Sequence, residues 1–358
     1  MHKTTTEEAS QIAQEYYSIS AKASKLDGYI DENFILKTSS GEKFLLKISS
    51  EENSEHLDFQ IEILKHLSTK SLDISLSEVV PNKEGNLLTS IQNNKTARVL
   101  TWLPGRLWAT VKPKTESLRN NLGEAAGSLT KALQDFEHPA AHRNLDWDLA
   151  NSAWTSKHSH RFSGQQKEML QYFQTRFEEI QPTFKNLPKS IVHNDLNDFN
   201  ILVSEDLSNP KVSGLIDFGD AVYTQIINDL AIVLAYAIMD LPDSLSAALE
   251  VIEGYNTQYN LSEKELECLY ILVGMRLVTT VTNASLKKEE FPDDDYFGIS
   301  EKPAWGLLEK WFIVNENFAY YSFRNACGYA SHPLEKKFEN WAKKQSSFFK
   351  NNVSFFFF

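Results

Sequence analysis

The sequence lacks the features that mark a secreted or membrane-spanning protein. Its 358 residues include two cysteines, Cys268 and Cys327, which are too few for a disulfide framework. The longest apolar run, residues 230–239, is about half of what a bilayer-spanning helix needs. Residues 1–10 are polar and acidic and have no apolar core like that of a secretory signal. We therefore expect a cytoplasmic protein that does not enter a membrane.

The chain also has fewer positively charged than negatively charged residues. The chain has 36 lysines and arginines against 48 aspartates and glutamates, which gives a net charge of -12. A surface of that sign repels the phosphate backbone of DNA or RNA, so we exclude a nucleic-acid partner. The charge suits a cationic small molecule, but acidic residues that only keep the protein soluble would explain it equally well.

Strand-like runs fill roughly the first hundred residues, and helical patterns dominate the rest. The predicted strands are 33–38, 43–48, 87–91 and 98–103, with a hairpin turn at 39–42 between the first two. The predicted helices are 55–68, 115–136, 164–180, 226–239, 243–260, 263–282 and 305–316, interrupted by a strand pair at 201–203 and 212–217. This order predicts an α+β fold with two lobes, a small β-rich lobe over 1–103 and a larger helical lobe over 104–358.

The residues with the clearest chemistry lie around the predicted strand pair. His193 opens the segment H-N-D-L-N-D-F-N, which ends at Asn200, and Asp217 opens D-F-G after the second strand. If the strands form an antiparallel hairpin, the midpoint of positions 200 and 217 lies in the polar turn at 205–211, and Asn200 stands roughly opposite Asp217. An amide and a carboxylate at that place are the hard oxygen ligands that Mg²⁺ prefers.

Asp195 lies five residues before Asn200, near enough to face a hydroxyl group beside the metal. A metal clamp on the phosphates and an acidic residue that orients the attacking hydroxyl are the parts that phosphoryl transfer needs. We therefore predict Asp195, Asn200 and Asp217 as catalytic residues, Asn200 and Asp217 as Mg²⁺ ligands, and ATP or GTP as the phosphoryl donor. His193 is interpreted as a structural hydrogen-bonding residue of the loop rather than a proton carrier.

The small lobe is expected to supply a cation for the phosphates. Lys47 is the candidate, because apolar residues flank it in a strand where an ammonium group is costly without an anionic partner. On a helical wheel of residues 59–67, Gln60 falls near the middle of the apolar face and Glu62 on the far side. Gln60 is therefore the predicted partner of Lys47.

No G-x-G-x-x-G loop precedes the lysine strand, and residues 27–34, with a single glycine, take its place as a weak phosphate-covering segment. The backbone of Thr101 and Leu103, in the predicted hinge between the lobes, is expected to bind the edge of a purine. Together with Lys47 and Gln60, these two residues form the predicted nucleotide-binding set.

At these residues the chain resembles the aminoglycoside phosphotransferase / choline kinase superfamily, whose fold is protein-kinase-like. Within it, the resemblance is nearest to the hydroxylysine kinase branch and to the phosphotransferase domain fused to class-III aminotransferases. Segments along the rest of the chain carry the same resemblance: 212–220, 228–232, 281–284, 299–305 and 323–328. Two positions depart from the superfamily. Asn194 replaces the usual glycine before Asp195, and Gln60 replaces the usual helix glutamate.

The resemblance implies that Asp195 is the catalytic base, that Asn200 and Asp217 bind the metal, and that Lys47 contacts the phosphates. It implies a small amino alcohol or hydroxy amino acid as acceptor, such as 5-hydroxylysine or a relative of ethanolamine. It also implies a phospho-lyase of the aminotransferase type as a partner that acts downstream.

Five residues are candidates for holding this acceptor. Asp220, Tyr223 and Asp229 would face an ammonium group, and Arg276 and Arg324 would face a carboxylate. For each of them, a helix cap, a surface charge or a packed aromatic ring is the competing interpretation.

Two alternative functions stay open. One is a kinase for homoserine, choline or an aminoglycoside, since the sequence does not rank these acceptors. The other is a catalytically silent kinase-fold module that binds a partner. The intact Asp195, Asn200 and Asp217 argue against the silent module, while Gln60 and the poor phosphate-covering segment argue for it.

Overall fold

An antiparallel sheet and two helices form the first part of the molecule. The computed structural model describes residues 3–26, 31–50, 54–291 and 300–344. Up to residue 101 the elements are α1 (Thr6–Tyr17), β1 (Ala21–Leu26), β2 (Glu32–Thr38), β3 (Lys43–Ser50), α2 (Ser54–Ser68), β4 (Val79–Val80), β5 (Thr89–Ile91) and β6 (Lys95–Thr101). The strands lie in the order β1-β2-β3-β6-β4, and β5 also pairs with β6. We call this part the small lobe.

Helices dominate the remainder, which we call the large lobe. Its elements are β7 (Arg106–Leu107), α3 (Glu116–Leu133), α4 (Gly164–Phe184), β8 (Lys189–Val192), β9 (Ile201–Val203), β10 (Val212–Leu215), β11 (Val222–Gln225), α5 (Ile227–Ala237), α6 (Ser244–Gln258), α7 (Glu263–Glu290), α8 (Glu301–Phe312), α9 (Glu316–Ala326) and α10 (Glu335–Lys344). Two small antiparallel sheets lie among these helices, one in the order β10-β9-β7 and one that pairs β11 with β8.

Local sequence signals fix several element ends. Helices α1 and α7 each begin at a capping box, in which the side chains of Thr5 and Glu8, and of Ser262 and Glu265, reciprocally bind backbone amides. The hairpin between β2 and β3 turns at Gly41, whose φ of 90° lies in the left-handed region that favours glycine. The predicted turn at this hairpin is confirmed.

The apolar face of α2 belongs to the large-lobe core, although the helix lies in the small-lobe sequence. Phe59, Ile63 and Leu67 are buried in the same apolar cluster as the helices of the large lobe. The Phe59 ring lies 5.1 Å from the ring of His138 and 6.4 Å from that of Phe136. The small-lobe sheet instead packs against α1 in a separate cluster. Helix α2 therefore packs into the large-lobe core, and its Gln60 contacts Arg98 of the small-lobe sheet.

Helix α7 runs through the centre of the large lobe. In the part of the chain that the structure describes, it is the one helix of 18 residues or more whose length and composition would suffice to cross a membrane. Of its most apolar window of 18 residues, 83% is buried inside the protein, as expected for a central core helix.

The predicted α+β class and the order of a β-rich lobe before a helical lobe are confirmed. The predicted helix 305–316 is wrong at both ends, because Asn315 caps a separate helix, α9, by accepting a hydrogen bond from Phe318 N–H. Helix α1 was not predicted, because its buried stripe consists mainly of the small residues Ala9 and Ala13, which give a weak apolar pattern. Part of the predicted phosphate-covering segment, residues 27–30, lies outside the described residues.

Helices α3 and α6 approach so closely that glycine is required at their contact. A Cβ atom on Gly254 would lie 1.9 Å from the carbonyl oxygen of Asn120. We expect Gly254→Ala to lower the free energy of unfolding by about 1–3 kcal/mol, as overpacking does in other cores. Gly306, on an exposed face of α8, is the control: a Cβ there meets nothing within 4 Å, so Gly306→Ala should raise the free energy of unfolding by about 0.5–1 kcal/mol. Urea titration of both variants measures this, and equal effects would contradict the packing argument.

Candidate active site

The hairpin of β9 and β10 brings the two predicted catalytic motifs together. Ile201 pairs with Leu215, and Ile216 N–H donates to the Asn200 carbonyl at 3.0 Å. Asn200 therefore stands opposite Ile216 rather than Asp217, so the predicted register is wrong by one residue. The turn is centred one residue before the midpoint of positions 200 and 217 that the prediction assumed. A bulge in β10 then moves the pairing back toward the predicted register, but only part of the way.

The loop of residues 193–200 folds back so that Asn200 contacts Asp195. Asn200 Nδ2 donates to the Asp195 carbonyl at 2.8 Å and to Asp195 Oδ2 at 2.9 Å. Asn197 Nδ2 donates to the same Oδ2 at 2.9 Å, and Arg276 Nη2 donates to Asp195 Oδ1 at 3.0 Å. The Asp195 side chain is 24% exposed. Burial raises the pKa of Asp195 to about 7, although the charge of Arg276 opposes the rise.

Two buried residues hold the backbone of this loop. Asn194 has a φ of 65°, in the left-handed region where asparagine is the best tolerated residue after glycine, which explains asparagine at this position. Asp229 accepts hydrogen bonds from the amides of His193 at 3.0 Å and Asn194 at 2.7 Å. His193 Nε2 lies 3.0 Å from the Ile216 carbonyl, and burial lowers its pKa to about 4, so the neutral imidazole donates there. This contact fits the structural interpretation of His193.

Asp217 lies next to Lys47 of the small lobe. Lys47 Nζ donates to Asp217 Oδ1 at 3.1 Å and lies 3.5 Å from Asp31 Oδ2. The positive charge of Lys47 is the main reason why the pKa of Asp217 is lowered. The Lys47 side chain is 8% exposed and that of Asp217 is 46% exposed, so the aspartate has the solvent access that a ligand-binding group requires.

Gln60 is not the partner of Lys47, and that prediction is wrong. Gln60 Oε1 accepts a hydrogen bond from Arg98 Nη2 at 3.0 Å. Arg98 is paired with Lys47 across β6 and β3, and its long side chain reaches α2. Arg98 also donates to Asp31 at 2.7 Å. Burial would raise the pKa of Asp31, but Arg98, Lys47 and its hydrogen bonds outweigh this and lower it. Asp31 is thus the carboxylate near Lys47 within the small lobe.

His56 and Arg143 bind the turn that follows Asp217, and sequence reasoning missed both. His56 Nε2 lies 2.8 Å from the Gly219 carbonyl and 3.0 Å from Arg143 Nη1. Arg143 Nη2 donates to the carbonyls of Gly219 at 2.6 Å and Ala221 at 2.9 Å. His56 precedes the buried Phe59 by three residues on α2, a spacing that could have placed it on the inward face. Arg143 lies in an irregular segment and carries no such signal.

Two of the predicted acceptor residues lie beside the catalytic motifs. Asp220 follows Asp217 in the same turn and is partly exposed. Burial raises its pKa, while the charges of Arg143 and Arg276 lower it. Tyr223, on β11, is partly exposed, and its ring lies 4.6 Å from that of His142.

The other three predicted acceptor residues already have partners within the protein. Asp229 is fully buried, and both of its oxygens already accept loop amides. Arg276 is buried against Asp195. Arg324 pairs with Glu263 at 2.7 Å, at the first turn of α7. Arg276 lies thirteen residues further along α7, a distance of about 20 Å at the helical rise, so the two arginines do not share an acceptor.

Thr101, one of the two predicted purine-binding residues of the hinge, uses its backbone amide for a contact within the protein. Thr101 N–H donates to the Glu78 carbonyl at 2.9 Å, and Thr101 Oγ1 accepts from Glu78 N–H at 2.8 Å. The Thr101 amide is therefore not available for a purine. Leu103 lies after β6, and its Cδ1 would be 3.2 Å from a Cβ placed on Gly214.

Comparison with known proteins identifies the family of this chain. Residues 24–262 match the phosphotransferase enzyme family, and the chain belongs to that family. It is 28% identical to hydroxylysine kinase of Mus musculus over 87% of this chain and 90% of that protein. It is 26% identical to homoserine kinase of Rhizobium meliloti (strain 1021) over 73% of this chain and 77% of that protein.

A solved structure has the same fold. Amicoumacin kinase hAmiN, in complex with AMP-PNP, Ca²⁺ and Ami, superposes with a TM-score of 0.62 at 14% identity and covers 92% of this chain and 96% of its own. The chain is thus a phosphotransferase with a bilobal protein-kinase-like fold. It is a small-molecule kinase that uses a nucleotide as phosphoryl donor. The predicted family and activity class are confirmed.

The site makes stability depend on pH through His56. Burial, followed by the charge of Arg143, lowers the pKa of His56 to about 4, below its ordinary value of 6.5. The unfolded chain therefore binds a proton below pH 6.5 that the folded protein takes up only near pH 4, and stability is lost as the pH falls through this window. We expect the free energy of unfolding lost between pH 7 and 5 to be smaller in His56→Gln by about 1 kcal/mol, after allowing for solvent screening.

Guanidinium titrations at both pH values measure the effect. The exposed His160 supplies the control, because His160→Gln should keep the wild-type pH dependence. An unchanged pH dependence in His56→Gln would contradict the assignment of a neutral His56.

Proposed function

We propose that the protein transfers the γ-phosphoryl group of ATP or GTP to the hydroxyl of a small amino alcohol or hydroxy amino acid. One observation supports this most strongly. A chain of contacts leads from Lys47 to Asp217 at 3.1 Å, through the hairpin to Asn200, and on to Asp195 at 2.9 Å. A phosphate-binding cation, two oxygen ligands and an acidic residue for the hydroxyl are thereby next to one another, as phosphoryl transfer requires.

Asn200 and Asp217 would hold Mg²⁺. Because Asn200 Nδ2 donates twice to Asp195, its amide oxygen is turned away from that residue. Asp217 uses Oδ1 for Lys47 and for Gly219 N–H, and among the described residues its Oδ2 has no hydrogen-bond donor. One amide and one carboxylate oxygen, completed by phosphate and water, fit the hard, oxygen-rich coordination of Mg²⁺. When bound, the metal would neutralise charge on the phosphates.

The other nucleotide contacts come from the small lobe and the hinge. Lys47 would exchange its contact with Asp217 for one with phosphate, because a buried ammonium group keeps an anionic partner at all times. Leu103, beyond the engaged Thr101, would offer its backbone to the purine. We propose the boundary between the lobes at residues 103 and 104, so that this hinge separates the nucleotide-binding lobe from the lobe that holds the acceptor.

The acceptor hydroxyl would lie against Asp195. That residue would orient the hydroxyl and take its proton as the phosphoryl group is transferred, since a base with a pKa near 7 suits this step. Asp220 and Tyr223, the two predicted acceptor residues beside the motifs, would face an ammonium group. The named relatives act on hydroxylysine and homoserine, which are hydroxy amino acids and support this acceptor class.

We further propose the cytoplasm as the place of the reaction, because Cys268 and Cys327 are both free thiols. The product, a phosphorylated amino alcohol or amino acid, carries phosphate as a leaving group. A phospho-lyase of the aminotransferase type is therefore the proposed enzyme that consumes it.

A nucleotide-consumption screen tests the function. The purified protein with Mg²⁺ and either ATP or GTP should turn over at least one of 5-hydroxylysine, ethanolamine, choline, homoserine and an aminoglycoside. Asp195→Asn should lower kcat on that acceptor by about 100-fold or more, because general-base catalysis contributes on that scale. Asp206→Asn, an exposed position in the turn of the same hairpin, is the matched control and should keep wild-type kcat. A silent binding module would consume no nucleotide with any acceptor.

The metal assignment has its own test. Mg²⁺ with ATP should stabilise the wild-type protein against heat, by about 2.7 kcal/mol when the ligand is present at 100 times its Kd. In Asp217→Asn the Mg²⁺-dependent part of this stabilisation should vanish, while binding of metal-free ATP is kept. Lys47→Met should weaken binding with and without Mg²⁺. An intact Mg²⁺ response in Asp217→Asn would refute the ligand assignment.

A further inference from the structure

The guanidinium group of Arg276 lies directly behind the Asp195 carboxylate. It comes from α7, far from Asp195 in sequence, and the residue is 2% exposed. It lies over the ring of Trp147 at 4.8 Å and over that of Tyr236 at 5.4 Å. Nη1 donates to the Trp147 carbonyl at 3.3 Å, and Nη2 lies 3.3 Å from the Tyr236 hydroxyl and 3.0 Å from Asp195 Oδ1.

These contacts leave Asp195 with little freedom. A carboxylate offers about four acceptor positions on its two oxygens. Asn197 and Asn200 occupy two of them on Oδ2, and Arg276 occupies one on Oδ1. The group is thus held on both oxygens and cannot rotate without breaking hydrogen bonds. One acceptor position remains, which is what a single hydroxyl needs.

We propose that Arg276 is a positioning residue that fixes the Asp195 carboxylate and directs its remaining acceptor position to the hydroxyl of the substrate. This inference rests on the proposed role of Asp195 as the base. Within the described residues Arg276 is the only arginine or lysine bonded to Asp195. The carboxylates of Asp217 and Asp220 act on Asp195 with the opposite sign, so this cation also offsets their repulsion.

The geometry disfavours the alternative that Arg276 binds a substrate carboxylate. The rings of Trp147 and Tyr236 lie against the guanidinium, and Asp195 is the carboxylate to which it is bonded. Its Nε is sealed from solvent and has no hydrogen-bond partner among the described residues. A substrate would have to displace Asp195 to reach this group, and the enzyme would then lose its base.

The test compares Arg276→Met and Arg276→Lys with a matched buried arginine. Arg324 is 3% exposed, pairs with Glu263, and lies over Tyr320 and Tyr329, but it is remote from Asp195. Arg276→Met should lower kcat at least about 50-fold and change KM for the nucleotide less than about threefold, because the lost contact acts on the transition state. Arg276→Lys, which keeps the charge but not the planar fork, should recover only part of kcat. Arg324→Met should lose thermal stability and keep kcat.

A double-mutant cycle decides whether Arg276 acts through Asp195. In an Asp195→Asn background, Arg276→Met should cause no further loss of kcat, because the group that it positions is already absent. A further loss as large as that in the wild type would overturn the proposal. A selective rise of KM for 5-hydroxylysine but not for ethanolamine would overturn it in favour of carboxylate binding. If the wild-type protein phosphorylates no acceptor, the proposed function falls; if it is active and Arg276→Met retains kcat, only the positioning role falls.

Discussion

The ion pair between Lys47 and Asp217 is the contact on which the site depends, because it joins the two lobes at the place where the phosphates would bind. Lys47 lies in β3 of the small-lobe sheet, and Asp217 follows the β9–β10 hairpin of the large lobe. Lys47 Nζ lies 3.1 Å from Asp217 Oδ1. A nearly buried ammonium group is costly unless an anion is close. Asp31, 3.5 Å away in the same lobe, is one such anion. Asp217 or a bound phosphate adds a second, which favours the closed arrangement of the lobes over an open cleft that leaves Lys47 with Asp31 alone.

Asp217 and Asn194 both have left-handed backbone conformations, which cost energy for residues other than glycine and persist only where the surroundings hold them. The supports are visible in each case. Asp229 binds the two amides before Asp195, while His56 and Arg143 bind the Gly219 carbonyl after Asp217. His56 belongs to α2 and Arg143 to the segment before α4, so two separate segments hold the turn after Asp217. Side-chain contacts from other segments thus hold the backbone near both left-handed residues.

The sequence predicted the two lobes and the contact between the catalytic motifs, because both follow from short-range patterns. Strand and helix periodicity separate the lobes, and a polar turn between two apolar strands predicts a hairpin. What it missed depends on long-range contacts. The partner of Lys47 could not be read from α2 alone, since Arg98, on another strand, takes Gln60. Likewise, Arg143 reaches the site from a segment with no motif. Arg276 was predicted as a residue for the acceptor, but its contact with Asp195 was not predicted. The predicted register differs by one residue because the polar turn does not mark its own centre in the sequence, and the bulge in β10 restores only part of the shift.

The balance of charge at the site is consistent with the proposed acceptor. Asp195, Asp217 and Asp220 influence one another electrostatically, and three cations from different elements surround them: Lys47 from β3, Arg143 from the segment before α4, and Arg276 from α7. Each cation already has a partner in the fold, since Lys47 binds Asp217, Arg143 binds two carbonyls and Arg276 binds Asp195. Asp220 is partly exposed, and among the described residues no cationic side chain donates a hydrogen bond to it. Burial disfavours the ionised form of Asp220, and a positively charged ligand would offset that cost whereas a neutral ligand would not. A substrate with an ammonium group near its hydroxyl would therefore place its charge at Asp220 and its nucleophile at Asp195.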